Sequence, residues 1–267
     1  MSFLDRFRRR KPQSESEPAH RTALGMVALR SSIPVSLVRV HGHLLETWAD
    51  FPRLEDVDAD DEAAVIRIPG GCITLGYMPA PIPWGDLEWP VKMAWQWAGA
   101  REALEGHQAH LIAFAASDSL SQVELSMRLT QVIAAAIAVT DSAGVYYGHA
   151  SLVIEPEQYS SQALEARPDQ LPVFLWIGFH PVREPGGLSL YTTGMSAFGQ
   201  LELEAHDTAL TPAELLGRLA DIAHYQLVTG NRLEDGHTFG ATAEERIAVR
   251  HRPSRFIAEA VTCQLAL

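Results

Sequence analysis

Two apolar runs, AAVIRI (63–68) and CITLGYM (72–78), flank Pro69-Gly70-Gly71, which is the pattern of a β-hairpin. A hairpin brings antiparallel pairing into the first half of the chain. Around it, TALGMVALR (22–30) reads as a strand. Leu37, Val40, Leu44 and Trp48 follow at spacings of three, four and four, one face of a helix, with Ser32 as a cap and Pro34 in the first turn. The segment PAPIPWGDLEWP (79–90) carries prolines that cannot donate to a sheet ladder, so it should leave the strand and run along the surface. VKMAWQWAGAREALEGH reads as a helix ending at Gly106, AHLIAFAAS as a strand, SQVELSMRLTQVIAAAIAVT as a long helix, and GVYYG and ASLVI as short strands. The opening order of strand, helix, strand, strand, helix, strand is that of a split βαβ, or ferredoxin-like, unit.

Polar, Pro-bearing EARPDQLP (165–172) reads as a boundary. Beyond it PVFLWIGFHPV, LSLYTTGM and QLELEAH are strand-like. TPAELLGRLADIAHYQLVTG is a capped amphipathic helix: Thr211 with Glu214 makes a capping box, Pro212 opens it and Gly230 closes it. HTFGA, RIAVRH and AVTCQLAL supply three more short strands. The expectation is an α+β protein with mixed or antiparallel sheets and helices on one face. It divides into a disordered basic leader (1–21), an N-terminal region (22–166) and a C-terminal region (167–267).

Charge narrows the function classes. Residues 1–11 hold five basic side chains and one acid, so the formal charge of -12 divides into +4 on the leader and -16 on residues 12–267. A body that acidic repels phosphate backbones, which argues against nucleic-acid binding. Its densest acidic run is Glu55, Asp56, Asp58, Asp60, Asp61 and Glu62, read either as a solvated loop or as a docking face for a basic partner. In the leader, Phe3, Leu4 and Phe7 interleave with Arg6, Arg8, Arg9, Arg10 and Lys11. The leader reads as a free solubilising tail, with weak contact to an anionic membrane as the alternative. There is no stretch of about 20 apolar residues and no secretory h-region, so a cytoplasmic protein is expected. Cys72 and Cys263 lie in strand-like contexts and read as buried free thiols.

The search for catalytic devices returns little. No phosphate-binding glycine loop and no H-E-x-x-H occurs, and no cofactor is implied. Gly194-Met195-Ser196-Ala197-Phe198-Gly199 is one residue too long for a nucleophile elbow and joins two strands. His107 and His110 form H-x-x-H, and with Glu102 or Glu105 nearby they are the metal alternative. His41 and His43 form H-x-H. The H-x-x-H pair straddles a helix end, so its rings need not converge. Glu202 and Glu204 fall on one strand face and read as solvent-facing, with Leu201 and Leu203 inward. Trp84, Trp89, Trp95 and Trp97 suggest a binding surface. Trp95 and Trp97 occupy different helical faces, which puts at least one near the surface.

YMPAPIPWGDLEWP, HQAHLIAF, GFHPV and LYTTGMSAFGQLELE together resemble the bacterial family called domain of unknown function 4261. The last two motifs are the more specific, over about 173–230, and with the upstream motifs the resemblance extends over most of 22–230. It supplies no catalytic residues, and it implies an association with bacterial conflict and secretion loci. The expectation is a non-catalytic binding protein: an immunity-like inhibitor, or an effector adaptor or chaperone. Its partner would be a basic protein met through Trp84, Asp86 and Trp89 together with Asp56, Asp58, Asp60 and Asp61. The alternative is a metal-dependent, hydrolase-like enzyme built on His107 and His110.

Overall fold

The computed structural model describes residues 21–51, 56–57, 63–240 and 246–267. The leader, and Glu55, Asp58, Asp60, Asp61 and Glu62 of the acidic run, lie outside the described residues, while Asp56 contributes backbone to a short strand.

The hairpin read from the sequence forms: β3 (Ala63–Ile68) pairs antiparallel with β4 (Gly71–Met78), with Ile66 opposite Ile73. With β1 (Arg21–Leu29), β2 (Asp56–Val57), β5 (Ala109–Ser117), β6 (Ser142–Tyr147) and β7 (Leu152–Ile154) they make a seven-stranded sheet in the order β2-β3-β4-β5-β1-β6-β7. Every pair in it is antiparallel.

That order departs from the ferredoxin-like one, in which β1 would lie between β4 and β5. Here β5 pairs along its length with both β4 and β1. The excursion between β4 and β5 returns the chain beside the strand it left. β1 is then free to pair on its other side with β6, so that β5, the helix α4 (Gln122–Ala138) and β6 form a split unit around it.

Helices lie on both faces of this sheet rather than one. Val27 and Leu29 of β1 join the core with α1 (Leu37–Thr47) and α4, while Ala28 between them points to α2 (Trp84–Met93) and α3 (Ala100–Glu105). Two glycines allow the close approach. A Cβ on Gly25 would sit 2.3 Å from Ile133 Cδ1, and one on Gly144 would sit 2.7 Å from Leu104 Cδ2 on the other face.

Local sequence explains most boundaries. Ser121 and Glu124 box the start of α4, as Thr211 and Glu214 box that of α7 (Pro212–Thr229), which Gly230 closes at φ 70°. α1 starts behind Ser36 and not Ser32, because the residue before Pro34 is pushed out of the helical region. α2 opens inside the Pro-rich segment, just behind Pro83. It carries Pro90, which has no N–H to donate, and it ends at Met93, so the single helix read over 91–107 is two.

The second sheet contains β8 (Gly178–Glu184), β9 (Gly187–Thr193), β10 (Leu203–Thr208), β11 (Thr238–Phe239), β12 (Ile247–Pro253) and β13 (Val261–Leu265), in the order β11-β12-β13-β10-β9-β8. Only β10 and β13 run parallel. Two helices unread in the sequence, α5 (Pro156–Glu165) and the single turn α6 (Val173–Trp176), carry the chain between sheets through a turn closed by Arg167 and Gln170. One apolar core runs through both halves. Leu111 and Ile133 belong to it with Leu190, Leu203 and Leu219, and at its centre Trp176 Nε1 donates to Thr130 Oγ1 at 2.9 Å. Among the described residues no helix is long and apolar enough to cross a membrane.

Candidate functional site: a groove at the seam of the two sheets

The inner face of the second sheet is apolar: Leu188 and Leu190 of β9 and Leu203 and Ala205 of β10 point to α7 and the core. The opposite face therefore carries the alternate residues, and pairing aligns His180, Tyr191, Glu204 and Gln264 in one row across β8, β9, β10 and β13. Aromatic rings cover part of it. His180 lies 4.8 Å from Tyr191 between centroids, Tyr191 stacks on Phe256 at 5.0 Å, and Phe256 stacks on His206 at 5.7 Å.

Glu204 is fully buried, which overturns its reading as a solvent-facing carboxylate. Ser254 Oγ donates to it and the Arg255 N–H approaches at 3.5 Å. His206 Nε2 is 3.0 Å from Glu204 Oε2, at ion-pair distance though not aligned as a hydrogen bond. A carboxylate out of water needs such partners. The result is that the 254–257 loop is tied down over the sheet, and Arg255 adds a 3.0 Å pair with Asp207.

Glu202 acts likewise on the other rim. Its carboxylate accepts the N–H groups of Gly194, Met195 and Ser196 at 3.0, 3.2 and 3.0 Å, and the Thr192 hydroxyl at 2.8 Å. Gly194 and Gly199, both with positive φ, bracket the 3-10 turn Met195–Phe198 that presents these groups. Converging N–H groups of this kind could stabilise an oxyanion. Here the protein's own anion fills them, so Ser196 has no oxyanion hole beside it.

These two carboxylate-anchored loops form one wall of an open groove with about 1000 Å³ of empty space, solvent at its mouth included. Trp89 and Met93 of α2 and the β6–β7 turn at 149–151 form the other wall, so both halves of the chain build it. Trp89 is 59% exposed. Trp95, 49% exposed, donates Nε1 to Phe179 O at 2.7 Å and ties the α2–α3 turn to β8, while Trp97 is buried. Trp84 is half-buried against α3 with Arg101 over its ring, and Asp86 is exposed on α2.

His180 and Tyr191 stand in motifs quoted from the sequence, GFHPV and LYTTG, but were not singled out as site residues. The signal that could have found them is strand alternation, which places both opposite the core. Burial pushes His180 down to about 4, so the ring is neutral at neutral pH. Its Nε2 donates to Thr193 Oγ1 at 2.9 Å, and that hydroxyl gives its own proton to Ala150 O. His180 therefore has no hydroxyl to deprotonate there, and its Nδ1 has no hydrogen-bond partner among the described residues.

The H-x-x-H pair has a different job. His107 Nε2 accepts the Ile82 N–H at 2.7 Å while Nδ1 donates to Leu104 O; His110 Nδ1 donates to Ala80 O at 2.7 Å. Both rings clamp the Pro-rich segment, and His107 has no nitrogen left for a metal. Among the described residues no group of three or more His, Cys, Asp or Glu side chains is arranged to hold a metal ion. Cys263 is buried, its thiol pushed up to about 12 by desolvation, and Cys72 is half-buried.

The TTG turn, its Glu202 anchor and the Glu204 anchor are thus one folded unit spanning β9 to β13. Residues 191–265 match the family model of DUF4261, a domain of unknown function. The DUF4261 match starts and ends later than the 173–230 span of the motifs. It takes in β10, α7 and β11 to β13, and it leaves the upstream motifs and the whole first sheet outside. The groove therefore pairs a wall mostly from the matched residues with a wall from the N-terminal region. No curated protein and no solved structure matches the chain.

Proposed function

We propose that this chain is a non-catalytic cytoplasmic binding protein whose docking surface is the Trp89 groove, and that its partner is a basic protein. An immunity-like inhibitor or an adaptor for a toxin or secreted effector has this character. The observation that carries the reading is Trp89, a large apolar side chain left 59% exposed at the lip of a groove built from both halves. Tryptophan is among the residue types enriched in interface hot spots, and a partner seated in the groove would bury this one. The charge of -16 on residues 12–267 supplies long-range attraction for a positive partner and repulsion for nucleic acid. The engaged rings of His107 and His110 weigh against the metal-enzyme alternative.

The test is to isolate the complex from the native cell and measure its kinetics. A basic partner is expected, with association slowed by salt. Trp89→Ala should shorten the complex lifetime at any salt, by about 30-fold if Trp89 is a ~2 kcal/mol hot spot. An acidic partner, or a Trp89→Ala complex that dissociates at the wild-type rate, removes the reading.

A further inference from the structure

A smaller pocket shares His180 and Met93 with the Trp89 groove. It is bounded by the α2–α3 turn, β7, α5 and the start of β8, and holds about 440 Å³ of empty space, solvent at its mouth included. That size falls within the roughly 300–1,000 Å³ of small-molecule sites. Its walls are aromatic: Trp95, Trp97, Phe174 and Phe179. The Trp95 ring is fixed by its bond to Phe179 O, and Phe174 leans on Phe179 with centroids 5.1 Å apart.

Two polar side chains at this pocket have capacity to spare. His180 is 6% exposed, yet its Nδ1 has no hydrogen-bond partner among the described residues. Because Nε2 gives its proton to Thr193 Oγ1, Nδ1 carries a lone pair and can only accept. The ring lies against the pocket wall at Gly178: a Cβ there would sit 2.6 Å from Nε2 and 3.1 Å from Cε1, the carbon that bears Nδ1. Gln158 of α5 is half-buried at the opposite wall element, and its amide, which offers a donor and an acceptor, makes no hydrogen bond among the described residues. Buried acceptors in folded proteins are nearly always satisfied, so a bare one at a pocket wall is accounted for by a ligand that donates to it.

The charge of that ligand is constrained as well. No Arg or Lys lines the pocket, and residues 12–267 carry -16, so a phosphate or carboxylate finds no counter-charge there. We propose that the pocket binds an uncharged, planar aromatic heterocycle, a nucleobase-like ring without a phosphate, which donates an N–H to His180 and is read along a donor–acceptor edge by Gln158. Aromatic walls suit such a ring, since every base offers a π-face for stacking, and a glutamine amide pairs with an aminopurine edge through two hydrogen bonds. Met93, half-buried between pocket and groove, is the unbranched side chain that yields as the ring enters. Neither Trp89 nor the two carboxylate-anchored loops line this pocket, so the proposal stands apart from the docking surface.

The experiment titrates the full chain with adenine by calorimetry, with indole and adenosine monophosphate as comparison probes. Adenine is expected to saturate one site per chain, with both comparison probes at least about tenfold weaker. His180→Phe keeps a ring and removes the acceptor, and should weaken adenine about tenfold or more. Gln158→Met, at a half-buried helical position, should weaken it several-fold with the melting temperature unchanged, and it decides the matter alone if His180→Phe does not fold. The proposal is overturned by no saturable adenine binding at millimolar concentration, or by adenosine monophosphate binding as tightly as adenine. Indole binding as tightly as adenine, which would make the pocket an unselective apolar slot, overturns it too, as does an adenine affinity that the folded variants leave unchanged.

Discussion

The two sheets hide different things. Strands of the first alternate apolar side chains such as Val27, Ile66 and Leu111 into the core, and the buried His107 and His110 clamp the 80–82 segment at one side. The second sheet has an equally apolar inner face, but its outer face buries a carboxylate, a histidine and a half-covered tyrosine under loops. The first half is held by removal of apolar surface from water. In the second, hydrogen bonds to two carboxylates decide where the loops lie. The fold and the groove should therefore respond to different perturbations.

The largest effect is expected at Leu129, fully buried on α4: Leu129→Ala should cost about 3–5 kcal/mol by denaturant unfolding. Glu204→Leu comes next. It leaves the Ser254 hydroxyl and the Arg255 N–H without their acceptor, at about 2–3 kcal/mol, and Glu204→Gln should recover part of this. Replacing a buried charge by an apolar group sometimes stabilises a protein. A Glu204→Leu variant firmer than wild type would erase the distinction between the sheets.

The pH dependence is smaller. His180 is kept neutral in the fold with its pKa near 4, while the unfolded chain takes up a proton below about 6.5. Its contribution is full above pH 6.5 and is lost as pH falls toward 4, by about 2–3 kcal/mol. His110, lowered mainly by burial, adds a slope of the same sign. His180→Gln should flatten the stability profile in that window, and an unchanged profile would show that the ring is not what titrates. Trp89→Ala should have the smallest effect, within about 0.5 kcal/mol on stability, because the side chain is mostly exposed. A loss of several degrees in melting temperature would make Trp89 a packing residue rather than a docking one.

Local signals carried far in the sequence. The capping box at Thr211 and Glu214, Gly230, and the hairpin around Pro69-Gly70-Gly71 all stand where they were read, because each is decided by neighbours in the chain. The order of strands was not legible, since β5 lies between β4 and β1 through pairings remote in sequence. VFLW read as strand because its residues favour strands, yet Trp176 turns inward on α6 to meet Thr130. At the groove, one tryptophan of the Trp95–Trp97 pair is exposed as expected, but not for the reason of helical faces, because both lie in the turn between α2 and α3. The burial of Glu204 was not legible, because the loop that covers it lies some fifty residues further along.

β13 fits between β12 and β10, two strands that do not touch each other without it. During synthesis the chain can assemble β8, β9 and β10 and dock α7 while β10 still presents an unpaired edge at Leu203 and Ala205. That edge is closed only when residues 261–265 emerge and insert. A ribosome stalled shortly before that point would hold a sheet open along its middle, with a bare strand able to capture the same segment from a neighbouring nascent chain. Residues 261–265 are thus the keystone of the second sheet, and a stop before them costs the joint between its two halves rather than a loose end.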